Sequence, residues 1–294
     1  MADEPSAGLR AGRRLTPARG PSARAYLLFV LGEYILDEDS PGAWTQTLLD
    51  ALSLLGFEEN AARQAVTRSA SAGWLASQRS GRRARWLLTP AGREYITVAK
   101  RRIFSPGPDH DWTGDWLIML TSLPENNRVL RHRLRTALGW AGFGSPAPDV
   151  WISPHPSHAK EAREVIGSLG ADVQATIMHA QLDNPQERHR LVTQAWDVGD
   201  LDARYQAFMA ELAAVTPTSA ADAFTARLHM LYRWRRLLLA DPGLPPMLLP
   251  QDWSGEQARR RMTDRYVAWQ RLASEWWNAR EDERGLAQPE TPGR

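Results

Sequence analysis

Arg63, Gln64, Thr67, Arg68 and Ser71 fall at positions i, i+1, i+4, i+5 and i+8. On a helix that spacing gathers two guanidiniums, an amide and two hydroxyls on one side. These are groups that read nucleic acid: Arg pairs bidentately with guanine, Gln with adenine, and hydroxyls serve either base edges or phosphate. A second cationic set follows, with Arg79, Arg82, Arg83 and Arg85 crowded around Ser80-Gly81. There they are expected to meet phosphates or reach the minor groove. Strand alternation keeps the four from sharing one face, so Arg82 and Arg83 at the tip are the firmer pair. Other chemistry has less behind it. His155-Pro156-Ser157-His158 has two imidazoles without a Cys or carboxylate beside them and reads as a loop. Ser153 lacks the Gly-x-Ser-x-Gly elbow of a serine nucleophile. No catalytic residue, metal ligand or cofactor is expected.

Charge concentrates in the same region. The formal net charge is +2, yet residues 61–104 hold ten bases against one acid, Glu94. The 36 basic residues include only two lysines, Lys100 and Lys160, and arginine is the planar, always-charged donor suited to phosphate and base edges. Such a block fits either a nucleic-acid surface or a solvated helix face, and the elements beneath it must decide. The chain has no cysteine, which excludes a disulfide scaffold, a zinc ribbon, an iron–sulfur site and a thiol nucleophile. No stretch approaches the ~18 apolar residues of a membrane span. Residues 1–20 carry Arg10, Arg13, Arg14 and Arg19 without the apolar core of a signal peptide. A soluble, cytoplasmic protein with no membrane partner is expected.

The elements that must position these residues follow from punctuation and periodicity. Ser22 caps a helix with Tyr26, Leu27, Phe29, Val30 and Tyr34 on its buried side, and Asp37–Gly42 breaks it. A second helix spans about Ala43–Leu55, and a third runs from Glu58 to about Ala72. The third sets Ala62, Ala65, Val66, Ser69 and Ala70 in one arc, opposite the Arg63–Ser71 set. Strands at 74–78 and 84–88 form a hairpin, and Pro90 opens a helix to about Arg102. That order is a winged helix-turn-helix, with the third helix and hairpin as its DNA-facing parts. Arg101 and Arg102 fit either DNA or acids of the central segment. After Ser105-Pro106-Gly107-Pro108 come a strand (116–121), a helix (128–140), short strands (142–144, 150–153), a helix (158–169) and a strand (172–179). This β-α-β-β-α-β order is ferredoxin-like. Helices then follow at 187–195, 199–214, 218–240 and 254–278, and the chain frays beyond Arg280. Trp234, among Arg233, Arg235 and Arg236, fits either a cation-clamped aromatic pocket or a buried stripe.

The text along 22–277 resembles the PaaX family, transcriptional repressors of phenylacetate catabolism. The matching residues include Arg63-Gln64-Ala65-Val66-Thr67-Arg68, Gly73-Trp74-Leu75, Gly81-Arg82-Arg83 and Arg101-Arg102-Ile103-Phe104. They continue with Trp112-Thr113-Gly114-Asp115-Trp116, Val150-Trp151-Ile152-Ser153-Pro154, Ala195-Trp196-Asp197 and Leu248-Leu249-Pro250 with Asp252-Trp253. The resemblance implies an α+β chain: an N-terminal winged helix-turn-helix, a central ferredoxin-like (Cas2-like) domain and a C-terminal helical domain. It also implies a homodimer on double-stranded DNA at an inverted-repeat operator, released by a small effector of aryl-CoA thioester type. The expected boundaries are 1–21 (disordered arm), 22–104, 110–182, 183–280 and a 281–294 tail. Thr67, Ser69 and Ala84-Arg85-Trp86 depart from the family pattern, which leaves operator and ligand open. Two rivals stay open. One is a Cas2-like metal-dependent nuclease using Asp115, near where such nucleases keep a metal-binding aspartate. The other is a non-catalytic scaffold whose winged helix makes protein contacts.

Overall fold

Ser22 starts the first helix in the computed structural model, which describes residues 21–81, 83–104, 111–124, 127–170, 173–182 and 184–286. The basic arm, the 105–108 linker and Arg82 lie outside the described residues. The Ser22 hydroxyl accepts from the Ala25 amide (3.2 Å), and α1 (Ala23–Tyr34) buries Tyr26, Leu27, Phe29, Val30 and Leu31. Periodicity alone carries the second helix back to Ala43, but Ala43–Trp44 form a short strand, β1, before α2 (Thr45–Leu54). Pairing with Trp86 and Arg85 gives those two residues backbone partners that a first helical turn lacks. α3 (Glu59–Ser71) ends at Gly73, whose φ of +76° lets the amides of Gly73 and Trp74 reach back to the carbonyls of Ala70 (2.8 Å) and Ser69 (3.0 Å).

The chain then leaves directly into β2 (Leu75–Ser80) and returns as β3 (Arg83–Leu88), giving an antiparallel sheet of order β1-β3-β2. Thr89 caps α4 (Pro90–Ile103) by accepting from the Gly92 amide (3.0 Å). Gly92 is required there, because a Cβ would overlap the Trp74 carbonyl.

Residues 112–196 form one compact unit. Its elements are β4 (Asp115–Ser122), α5 (Arg128–Trp140), β5 (Gly144–Ala147), β6 (Val150–Ser153), α6 (Ala159–Leu169), β7 (Gln174–Gln181) and α7 (Pro185–Ala195). The sheet order is β5-β6-β4-β7, and every neighbouring pair is antiparallel. Leu134, Leu138 and Ala162 from the helices bury Leu117, Met119 and Trp151 on one face. On the other, Trp116 meets Trp112 edge-on (5.3 Å) and stacks with Trp196 (6.5 Å).

The second unit joins Pro21–Asp111 to the chain from Asp197 onward. It adds α8 (Val198–Ala214), α9 (Ala220–Ala240), α10 (Gly255–Ala268) and α11 (Gln270–Leu286). The single terminal helix expected over 254–278 is therefore two helices meeting at buried Trp269, and the second continues to Leu286 where fraying was expected. One hydrophobic core serves both ends of the sequence: Tyr34 stacks on Phe224 (5.4 Å) and Trp277 (4.7 Å), and Tyr26 on Tyr232 (5.0 Å). At its centre Glu33 of α1 receives Arg227 of α9 (2.7 Å), with side chains only 6% and 4% exposed. Tyr266 of α10 donates to the same carboxylate (3.2 Å), and Lys100 of α4 stands 3.3 Å away. A buried ion pair contributes little net stability when whole, but removing one member strands the other in low dielectric. Arg227→Ala is therefore expected to lower the unfolding free energy by about 3 kcal/mol or more in denaturant titration. An Arg227→Met and Glu33→Met double variant should recover most of that loss.

Candidate nucleic-acid interface

The inner face of α3 is made of small side chains, with Ala62, Ala65, Val66 and Ser69 buried against α1 and α2. Ser69 is fully buried yet satisfied, donating to the Ala65 carbonyl (2.9 Å). The outer face exposes Arg63, Gln64, Thr67, Arg68 and Ser71 together, as the helical spacing requires. These side chains rest on their own helix. Arg63 pairs with Glu59 (2.5 Å), Thr67 donates to the Arg63 carbonyl (3.0 Å), and Arg68 donates to that of Gln64 (3.2 Å). With Arg63 53% exposed and Glu59 65%, such a pair is worth at most a few tenths of a kcal/mol, so a phosphate or base edge can replace it cheaply.

The ribbon divides its arginines by register. Arg83 lies opposite Ser80 and Arg85 opposite Gln78, so these two arginines share a face, whereas Arg79 lies opposite Ala84 on the other. Arg79 is exposed. Arg83 is exposed too and donates to the Arg284 carbonyl at the end of α11 (2.6 Å). Arg85 is held more firmly: it pairs with Glu281 of α11 (3.0 Å) and lies over the Trp44 ring (4.5 Å), its side chain 24% exposed. The other Glu281 oxygen accepts from the Trp44 amide (3.0 Å). Two more members of the basic block turn inward, Arg93 donating to the Leu36 carbonyl and Lys100 to that of Gly32 (3.0 Å). Arg101 and Arg102 remain exposed. Nothing in the sequence marks Glu281, Arg284 or Asp50 as partners of this surface, since they lie outside the basic run and meet it only through the fold.

The remaining sequence candidates have structural occupations. Asp115 accepts from Thr113 Oγ1 and Gln181 Nε2 (2.6 Å each), and these hydrogen bonds hold its carboxyl below the usual range. Among the described residues no group of three His, Asp or Glu is placed to hold a metal ion. Ser153 is buried, its hydroxyl taken by the His155 amide (3.2 Å) and His158 Nδ1 (3.1 Å). Trp234 is fully buried and donates to the Ile103 carbonyl (3.1 Å), so it is a core residue rather than the wall of an open pocket. An apolar cleft of about 100 Å³ lies between α1, α4 and α9, walled by Leu28, Phe29, Ile96, Phe104 and Leu231, with Lys100 and Arg235 at its margin.

Comparison with known proteins gives three family matches in chain order. Residues 22–92 match the PaaX-like protein model, residues 109–192 the PaaX protein central Cas2-like domain, and residues 196–279 the PaaX-like protein C-terminal domain. The transcriptional repressor PaaX of Escherichia coli (strain K12) is 30% identical over 228 residues, which is 74% of this chain and 71% of that protein. A solved structure, the uncharacterized protein Rv0674 from Mycobacterium tuberculosis, is similar in fold at a TM-score of 0.57 and 24% identity. That match covers 85% of this chain and 97% of the other. The ribbon geometry makes its own prediction. A double-mutant cycle of Arg85→Ala and Glu281→Ala should give a coupling of about 1 kcal/mol in denaturant unfolding, against less than about 0.5 kcal/mol for the exposed Arg63–Glu59 pair.

Proposed function

This chain belongs to the PaaX family, and from that premise we propose that it is a ligand-responsive, dimeric transcriptional repressor that binds an inverted-repeat operator. The family match and the repressor among its relatives make it a regulator and not an enzyme. The observation carrying the finer reading is the division of α3 into a buried small-residue face and an exposed polar one. A helix about 20 Å long, seated that way beside a cationic ribbon, is the arrangement by which a winged helix-turn-helix enters a major groove about 12 Å wide.

In this reading Arg63, Gln64, Thr67, Arg68 and Ser71 address base edges and the flanking phosphates, while Arg79, Arg82 and Arg83 hold the backbone alongside. Arg85 sets the wing by bridging it to α11, and becomes a phosphate contact only when Glu281 releases it. The 110–182 segment is a ferredoxin-like scaffold, supported by its β-α-β-β-α-β order and antiparallel sheet. The described residues contain no helix long and apolar enough to cross a membrane, which agrees with a cytoplasmic regulator. The α1–α4–α9 cleft has the apolar lining of a small-molecule site, and its marginal Lys100 and Arg235 suit an anionic group, while its volume of about 100 Å³ holds only part of an effector of aryl-CoA type. Occupancy would loosen DNA binding only in so far as the ligand prefers the conformation that binds DNA poorly.

The nuclease reading is disfavoured by the hydrogen bonds that occupy Asp115. The scaffold reading separates from the repressor by mutation. Arg63→Ala and Arg68→Ala should each cost about 1–3 kcal/mol on the operator and relax its sequence preference. Arg79→Ala should weaken all duplexes alike and reduce the salt slope by about one ion. If the Arg63→Ala and Arg68→Ala double variant binds operator as the parent does, helix α3 is not the reading element.

A further inference from the structure

The last helix outruns its own core. Trp276 and Trp277 of α11 are buried, but no residue from Asn278 to Gly285 is. The bonds that tie this segment to the ribbon and to α2 are polar. Glu281 meets Arg85 and the Trp44 amide, the Arg284 carbonyl accepts from Arg83, and the Arg284 guanidinium pairs with Asp50 (3.2 Å). A helix end held in this way can lift without exposing a buried side chain of its own. The polar contacts it gives up are remade with water or with another anion.

What Glu281 holds is a donor set suited to phosphate. Its Oε1 accepts from the Trp44 amide and its Oε2 from Arg85 Nη2, at 3.0 Å each. A main-chain amide beside a guanidinium is a common setting for a backbone phosphate. Trp44 is also the N-cap of α2, with no side-chain cap and no acid in the first turn, so the helix terminus favours negative charge there. The set is not used up. Arg85 Nε and Trp44 Nε1 are buried and meet no acceptor among the described residues. A carboxylate fixed on α11 takes one prong of the guanidinium, whereas a phosphate free to settle accepts from two. Arg83, two residues along on the same face, donates to the Arg284 carbonyl, a neutral acceptor and so a weaker one than an anion. While α11 is in place, its surroundings oppose the exchange. Asp37, Asp39 and Asp282 line a cleft of about 900 Å³ with Glu281 and Arg85, and repel a phosphate backbone brought to this face.

We propose that Arg85, Arg83 and the Trp44 amide form a phosphate site for duplex DNA that α11 keeps occupied with Glu281 in the free protein. The end of α11 is then a built-in competitor of the duplex. The inference rests on the DNA-binding reading above and adds a regulation of it. Phosphate carries no sequence, so displacing Glu281 sets the affinity for every duplex alike and leaves the preference among them to α3. A pair that merely stapled the ribbon in its DNA-binding position would act with the opposite sign, because losing it would weaken binding.

The sign is read in the full-length protein by titrating promoter and random duplexes of equal length at one fixed salt concentration. Glu281→Gln keeps an acceptor for the Trp44 amide and removes the charge. It should bind both duplexes about fivefold more tightly, with their ratio and the circular dichroism unchanged. Glu283→Gln removes the same charge from an exposed residue that pairs with Arg280 on its own helix, and should change affinity less than about twofold. The double variant Arg85→Ala and Glu281→Gln should bind no more tightly than Arg85→Ala alone. Unchanged or weaker binding by Glu281→Gln would overturn the proposal, as would a gain that Glu283→Gln matches or that survives Arg85→Ala. If the parent binds both duplexes equally while Glu281→Gln still gains through Arg85, the operator reading falls and this site stands. A parent that prefers the promoter, with no gain in the variant, gives the reverse.

Discussion

The close seating of α3 is the constraint on which the rest of the surface depends. Ala62, Ala65 and Ser69 are small side chains that let the helix lie against α1 and α2, with Val66 buried beside them. Once that seam closes, helical geometry leaves no choice about the opposite side: Arg63, Gln64, Thr67, Arg68 and Ser71 must face outward as a set. A larger residue at Ala62 or Ala65 would lift the helix from its neighbours and change the angle at which all five groups are offered. Thr67 and Ser69 fit this scheme, one outside and one satisfied within the seam.

A second constraint ties this surface to the far end of the chain. Residues 21–104 share one core with α8–α11, and Glu33, Arg227, Tyr266 and Lys100 join four helices at a buried charge cluster. The ribbon is tied to the same helices through Arg85–Glu281 and through the Arg83 bond to the α11 carbonyl. A shift of α9 or α11 would therefore be passed to the β2–β3 ribbon through packed side chains and hydrogen bonds. The basic block divides accordingly. Arg63, Arg68, Arg79 and Arg83 stay exposed, while Arg85, Arg93 and Lys100 act largely as structural cations.

Local signals were legible in the sequence where local physics decides. The cap at Ser22, the start of the helix opened by Pro90, the two faces of α3 and the central strand–helix order all follow from spacing and residue type. What could not be read depends on partners distant in sequence. Ala43–Trp44 become a strand because β3 reaches them. The terminal helix stays ordered to Leu286 because Glu281 and Arg284 find Arg85 and Asp50 across nearly the whole chain. Trp234 among three arginines could not be assigned from its neighbours; only the packing of α9 against Tyr205 and Phe208 turns it into the core. Charge density likewise marks the region of the candidate interface but cannot say which arginines are already engaged.

The central claim is that α3 reads sequence rather than merely adhering to phosphate. It is tested most directly by comparing the parent protein's affinity for duplex DNA from its own promoter region with that for random duplex of equal length, across a range of salt concentrations. The account predicts a steep salt dependence for both and a preference for the promoter duplex that persists as salt rises, since base contacts survive where counterion release weakens. Two affinity curves that coincide at every salt concentration would contradict it.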